Sequence, residues 1–190
     1  MKAFVIAALL GAVSPLALAA DSYTLDSRHT FPSFEVSHLG FSTQRGRFNV
    51  TKGKVVLDRQ TKSGTVEISV DTASIDTGLD KLEEHLRAAD FFNTAQFPSM
   101  SYRSTKLAFN GDALTRVEGE ITLLGVTKPL AFNVTHFRCG IHPMLKREVC
   151  GADLTGTLKR SEFGMKYALP AVGDEVRLMI QVEAINDKAP

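Results

Sequence analysis

The chain has 190 residues, 44% of them hydrophobic, and carries 22 Lys and Arg against 21 Asp and Glu. That balance argues against nucleic acid as a partner, which wants a basic face, and offers nothing to an acidic membrane surface. No internal repeat, linker or low-complexity tract divides the sequence.

Residues 1–20 read as a cleaved signal peptide. Lys2 supplies the positive start, "AFVIAALLGAVSPLALA" the apolar segment, and Ala17-Leu18-Ala19 the small-x-small cleavage signal. The rival reading is a membrane anchor, but small residues fill the stretch, Pro15 interrupts it and the cleavage signal ends it. Residues 21–190 then form one exported domain large enough for a sizeable core. Losing Lys2 leaves its acidic and basic side chains equal in number. No later apolar run is long enough to span a bilayer, so no stable membrane insertion is expected.

Period-two alternation recurs through this domain, the mark of antiparallel strands with one wet face. Tyr23–Asp26, Ser33–His38, Gly46–Val50 and Lys54–Asp58 are short candidates. "GTVEISV" puts Val66, Ile68 and Val70 on one face. Met100–Phe109 and Arg116–Leu124 follow, parted by "NGD" at 110–112, and "LGVTKP" at 124–129 reads as the next turn. "PLAFNVTHF" groups Leu130, Phe132 and Val134; "ADLTGTLKR" groups Leu154 and Leu158; "EVRLMIQVEA" groups Val176, Leu178, Ile180 and Val182. Eight or more one-sided strands must close into a barrel or stack as a sandwich, and alternation alone does not separate the two.

One stretch breaks the pattern. "DKLEEHLRAADFFNTAQFP", residues 80–98, predicts a short helix beginning near Leu79, capped by Asp76 or Thr77. Leu79, Leu82 and Leu86 form a narrow apolar stripe; Asp80, Lys81, Glu84, His85 and Arg87 are expected to face outward, with Glu83 and Arg87 paired. Such a helix is too short to stand alone. With Phe91, Phe92 and Phe97 behind it, it is expected to cap an open end of the β structure, either as a plug or as the lining of a pocket mouth.

The only cysteines, Cys139 and Cys150, flank "GIHPMLKREV". In an exported protein the default is a disulfide. The alternative is a soft copper site of Cys139, His142, Met144 and Cys150, which no tight spacing supports. The remaining histidines make no ligand cluster, so no metal is expected. There is no G-x-S-x-G, Walker loop, H-E-x-x-H or G-x-G-x-x-G, and no catalytic residue is assigned.

"YTLDSRHTFPSFEVSHLGFSTQRGRF", "HLRAADFFNTAQFPSMSYRST", "GEITLLGVTKPL" and "TLKRSEFGMKYALPAVGDEVRLMIQVEAI", in that order, resemble the YceI-like, or polyisoprenoid-binding, proteins over 22–186. The resemblance implies an all-β fold, an eight-stranded antiparallel lipocalin-like barrel with one short helix covering part of it. It implies a periplasmic or secreted binding protein rather than an enzyme. The ligand it implies is a long-chain isoprenoid or similar amphiphilic lipid, such as an isoprenoid quinone, polyprenyl lipid or fatty amide. No other cofactor is implied. Some members are dimers, so a homodimer is open. An alternative role is a scaffold that docks a membrane cytochrome or quinone-enzyme partner.

Carried onto this sequence, the resemblance points to Phe34, Val36, His38 and Phe41 in the opening motif as ligand-binding residues. It adds Phe91, Phe92 and Phe97 behind the helix and Phe163 in "KRSEFGM"; Phe132 joins the ligand-binding set from the alternation of its own strand. His38 is read either as a hydrogen-bonded structural histidine or as a head-group contact. Arg45 and Arg47 are read as strand-edge residues, with a phosphate contact as the alternative. Arg160 and Glu162 are expected to form a buried ion pair closing the barrel.

Overall fold

The computed structural model describes residues 20–188; all but Ala20 of the expected signal peptide lies outside them. Eleven strands and one helix follow in chain order. They are β1 (Asp21–Leu25), β2 (Phe31–His38), β3 (Ser42–Phe48), β4 (Thr51–Asp58), β5 (Ser63–Asp71), β6 (Ile75–Asp76), α1 (Asp80–Arg87), β7 (Ser99–Asn110), β8 (Ala113–Leu123), β9 (Val126–Ile141), β10 (Glu148–Lys159) and β11 (Val172–Asn186).

The pairing resolves the choice that alternation left open. Every ladder is antiparallel, and β11 returns to pair with both β1 (Leu25 opposite Ala184) and β2 (Phe34 opposite Leu178). β1 and β2 are thus two halves of one interrupted stave. β4 pairs β1 and β3 pairs β2, while β6 continues β5 by pairing β3. With each broken pair counted once, eight staves close as an up-and-down barrel in chain order. Closure removes the sheet edges that a sandwich would leave.

The three breaks have local causes. Between β1 and β2 the chain bulges out at residues 26–30. Asp26 N and Thr30 Oγ1 both donate to the Glu183 carbonyl, and Thr30 Oγ1 accepts from Glu183 N. Between β3 and β4, Asn49 N donates to the Ser74 carbonyl and Val50 N to Ser74 Oγ, so the ladder stops at Phe48 rather than running on to Val50. Between β5 and β6 a 3-10 turn, Thr72–Ser74, is held by Asp71, whose carboxylate accepts from Ala73 N. The expected turn at 124–129 shrinks to Leu124–Gly125, both at positive φ, a two-residue hairpin whose twist matches its strands.

Inward residues fall into three buried clusters. Tyr23, Leu25, Leu57, Leu107, Leu114, Val117, Cys150 and Ala184 fill one end. Ile121, Leu123, Leu130, Phe132 and Phe163 form a second group along β8 and β9. Phe48, Val70 and Ile75, with Phe34, Leu86 and Phe92 against them, underlie the helix. Cys139 and Cys150 stand opposite each other on β9 and β10 and form a disulfide, their Cα atoms 4.0 Å apart. Both sulfurs are therefore consumed, and His142 Nδ1 accepts from the Met144 and Leu145 amides, which disassembles the copper alternative.

Candidate functional site

The barrel is not packed through. A cavity of about 680 Å³ runs from α1 and Tyr167 at one end to Leu57, Leu107, Leu114 and Ala184 at the other. Its walls are the alternating faces read from the sequence: Val66, Ile68 and Val70 of β5, Leu154 and Leu158 of β10, and Val176, Leu178, Ile180 and Val182 of β11. A closed eight-stranded barrel has just enough interior to be filled by side chains or to hold one small ligand. Here glycines tip the balance toward space. Phe34 lies across Gly46 of β3, where an added Cβ would meet its ring at 2.5 Å. Phe132 lies across Gly156 of β10 in the same way, at 2.8 Å. Each large ring is laid against the wall instead of across the lumen.

The helix covers the mouth. Leu79, Leu82 and Leu86 all line the cavity; no residue of α1 is buried, because Leu86 packs on the Phe48, Val70 and Ile75 cluster while Leu79 and Leu82 border open space. Leu79 occupies the N-cap position without a side-chain cap. Asp76 and Thr77 instead tie the preceding turn, accepting from Gly78 N and Leu79 N. Glu83 reaches back to accept from Thr77 N at 2.9 Å and pairs with Arg87 at 3.3 Å, the expected i,i+4 partner.

His85 is exposed as expected, yet it also borders the cavity. Its ring lines the mouth, edge-on to Phe91 at 5.0 Å and to Tyr167 at 5.2 Å, and those two rings lie 5.4 Å apart. Three helical residues separate His85 from Leu82, so it shares the stripe's side; its polarity masked that in the sequence. Tyr167 comes from the loop between β10 and β11, and no periodicity could have flagged it.

The structure brings Phe34, Val36, His38, Phe91, Phe92 and Phe132 together on the cavity wall. Three of the residues singled out from the sequence lie elsewhere. Phe41 is 90% exposed on the β2–β3 turn. Phe97 stacks over Gly125 at the β8–β9 turn, because the chain leaves the helix and must cross that turn to enter β7. Phe163 is buried in the cluster with Ile121, Leu130 and Phe132 and does not border the cavity. Sequence reasoning missed Tyr102, Ile121 and Leu123 as wall residues, although they fall on candidate strands at the right parity.

The cavity's polar groups are few. Tyr102 Oη donates to the Leu130 carbonyl at 3.2 Å; burial, then the nearby Glu118 carboxylate, pushes its pKa up to about 12. Arg160 is buried, but not in an ion pair with Glu162, which is exposed. Its guanidinium donates to the carbonyls of Gly173 (2.8 Å), Met165 (3.0 Å) and Val172 (2.9 Å), stitching the β10–β11 loop to the rim. Asp174 faces it and accepts from Ser161. Arg45 and Arg47 lie off the cavity and pair with Glu35 (2.7 Å) and Asp76 (3.5 Å).

The YceI-like domain model matches residues 23–184. The chain is 36% identical to a UPF0312 protein of Pseudomonas aeruginosa over 173 residues, 90% of this chain and 89% of the relative. It is 34% identical to Protein YceI of Escherichia coli O157:H7 over 175 residues, 90% of each. A YCEI protein of Campylobacter jejuni superposes with a TM-score of 0.67 at 25% identity, covering 80% of this chain and 90% of that one. BcnA of Burkholderia cenocepacia shares the fold with a TM-score of 0.70 at 20% identity, over 84% and 98% of the two chains. A polyisoprenoid binding domain from Saccharophagus degradans does so at 0.65 and 18%, over 86% and 98%.

Proposed function

The chain belongs to the YceI-like family, and from that premise we propose that it is an exported binding protein for a long-chain isoprenoid or similar amphiphile. The tail lies in the barrel and the head at the helix-covered mouth. The observation that carries this is the continuous cavity, walled by Val, Ile, Leu and Phe from mouth to floor. The polyisoprenoid-binding description of the Saccharophagus degradans domain supports it at the level of ligand class. An apolar cavity of about 150 Å³ admits benzene; by that scale 680 Å³ takes on the order of 25 carbons, about five isoprene units. Each buried methylene contributes about 0.8 kcal/mol, so tail burial alone supplies the affinity. Within this reading the leader sends the protein to the periplasm, where an insoluble tail needs a carrier or store. Binding, not turnover, is the activity.

The test is direct. The protein is purified from the periplasm, extracted with organic solvent and the extract analysed by mass spectrometry. One isoprenoid at near one-to-one stoichiometry is expected. An empty extract, with no uptake of added quinone or polyprenol, would overturn the reading.

A second role has one observation in its favour. Leu39 and Phe41 stand exposed on the turn that follows the rim residue His38, at 51% and 90%. They suit an adaptor that docks a membrane redox partner at the mouth, and pull-down with Phe41→Ser as control tests it.

A further inference from the structure

We propose that the barrel has a second opening, a lateral seam between β9 and β10 closed by the ring of Phe163, which gives a bound ligand a second way out. The inference rests on the isoprenoid-holding reading above and adds a route to it.

The seam originates in the pairing. β9 and β10 pair from Ile141 opposite Glu148 as far as Asn133 opposite Thr155, and among the described residues no earlier residue of β9 pairs with β10. Both strands nevertheless run on toward the mouth. β9 stays paired to β8 from Phe132 back to Val126, and β10 to β11 from Gly156 to Lys159, so each is held there on its far side only.

Pro129 supplies a local cause. The two-residue turn Leu124–Gly125 makes Leu123 and Val126 a hydrogen-bonded pair. Hydrogen-bonded and non-hydrogen-bonded pairs alternate along the ladder, so Pro129, opposite Glu120, directs its backbone nitrogen at β10 rather than β8. A proline nitrogen has no proton to donate, and the β9–β10 ladder loses a donor there.

A side chain stands in the gap. The tight turn Arg160–Phe163 follows β10 directly and buries Phe163, 3% exposed, in the cluster with Ile121, Leu130 and Phe132. Outside it lies a surface cleft of about 240 Å³, bordered by β9 residues 128–130, β10 residues 157–159 and Phe163 itself. Ile121 and Leu158 border both this cleft and the main cavity. Side chains, not a paired ladder, therefore separate the two spaces.

The plug has room to move. A space of about 150 Å³ admits benzene, so the cleft is large enough to receive the Phe163 ring. The turn is fastened at its base: Arg160 donates to three carbonyls and Ser161 to Asp174. Gly164, next to the plug, sits at φ 90 with nothing within 4 Å of where a Cβ would stand. Lys128, Lys159, Glu162 and Glu175 border the cleft, and among the described residues none of the four is in an ion pair that would lock it. Outward rotation of Phe163 thus joins cavity to solvent without breaking a strand pair.

The experiment loads the delipidated protein with an isoprenoid quinone and follows its transfer to phosphatidylcholine vesicles by stopped flow, using a vesicle fluorophore that the quinone quenches. Phe163→Ala should speed release about tenfold, and Phe163→Leu, the milder change should the first fold poorly, about threefold. Leu25→Ala is the control for general loosening. Leu25 is buried, at 7% exposed, but borders neither space, and its variant should release within about twofold of the unaltered protein. An unchanged rate in the Phe163 variants, or an equal rise in Leu25→Ala, would overturn the inference while leaving the isoprenoid reading intact. No uptake of quinone by the unaltered protein would remove the isoprenoid reading and this inference with it.

Discussion

The two ends of the barrel are built from the same alternating strands and are used in opposite ways. At the floor, side chains from six strands converge, and Tyr23 has no exposed surface. Its hydroxyl donates to Glu148 at 2.8 Å, Arg59 holds the other Glu148 oxygen at 2.8 Å, and the Cys139–Cys150 bridge lies beside them. At the mouth, a helix of eight residues with none buried rests on one wall through Leu86 and spans open space beside it. Alternation places side chains inward at both ends; whether they meet depends on how close the opposite wall comes and what covers it. On the proposed reading, the floor holds the fold together and the mouth admits the ligand.

The largest effect is expected from a cavity at the floor. Leu57, 4% exposed, cut to Ala should lower unfolding free energy by about 3 kcal/mol in urea titration. A cost below about 1 kcal/mol would show that the floor is as loosely filled as the mouth.

Opening the bridge comes next. Replacing both Cys139 and Cys150 with Ala should cost about 2–3 kcal/mol of stability and change ligand affinity less than about threefold, since the bridge closes a loop of sequence separation 11 and Cys150 borders the cavity only at its floor. A matching loss of affinity would mean that the two ends are coupled.

Alkaline titration probes the same network. Burial, then the hydrogen bond to Glu148, pushes the Tyr23 pKa from 10.0 up to about 12. The folded state thus favours the neutral phenol. Its contribution is fully present below pH 10 and is lost as pH rises from 10 through 12, amounting to about 3 kcal/mol. Tyr102 acts in the same direction. Tyr23→Phe should flatten that fall by roughly half; denaturant midpoints at pH 9 and 11.5 measure it.

The smallest stability effect belongs to the helix. Leu82→Ala should cost less than about 1 kcal/mol because its side chain borders space, yet speed ligand release about tenfold by thinning the cover. Stopped-flow release of a bound isoprenoid reads the second number. If stability falls as far as in Leu57→Ala, the contrast between the ends disappears.

Near the barrel axis much was legible beforehand. Val66, Ile68 and Val70, or Leu178, Ile180 and Val182, reveal their face by parity alone, because a strand turns every second side chain to one side. The helix was legible from Leu79, Leu82 and Leu86 for the corresponding reason at period 3.6. Phe41 and Phe97 were misplaced because one sits on a turn and the other in the irregular segment before β7, where parity carries no information. Arg160 was read as one half of an ion pair because a sequence shows nearby carboxylates but not backbone carbonyls; three of those, from residues 165, 172 and 173, hold it.

The sequence by itself determined the β class, the inward residues of its strongest strands, the position of the covering helix and the cysteine pair. These are local properties, written within a strand, a turn of helix or a short loop. Only the tertiary structure decided that β11 closes on β1 and β2, that Phe34 and Phe132 lie flat on glycines of neighbouring strands, and that His85 and Tyr167 meet at the mouth. Each of these depends on register between segments far apart in the chain. A period of two is the same in a barrel and a sandwich, and only the closing register turns it into an enclosed space.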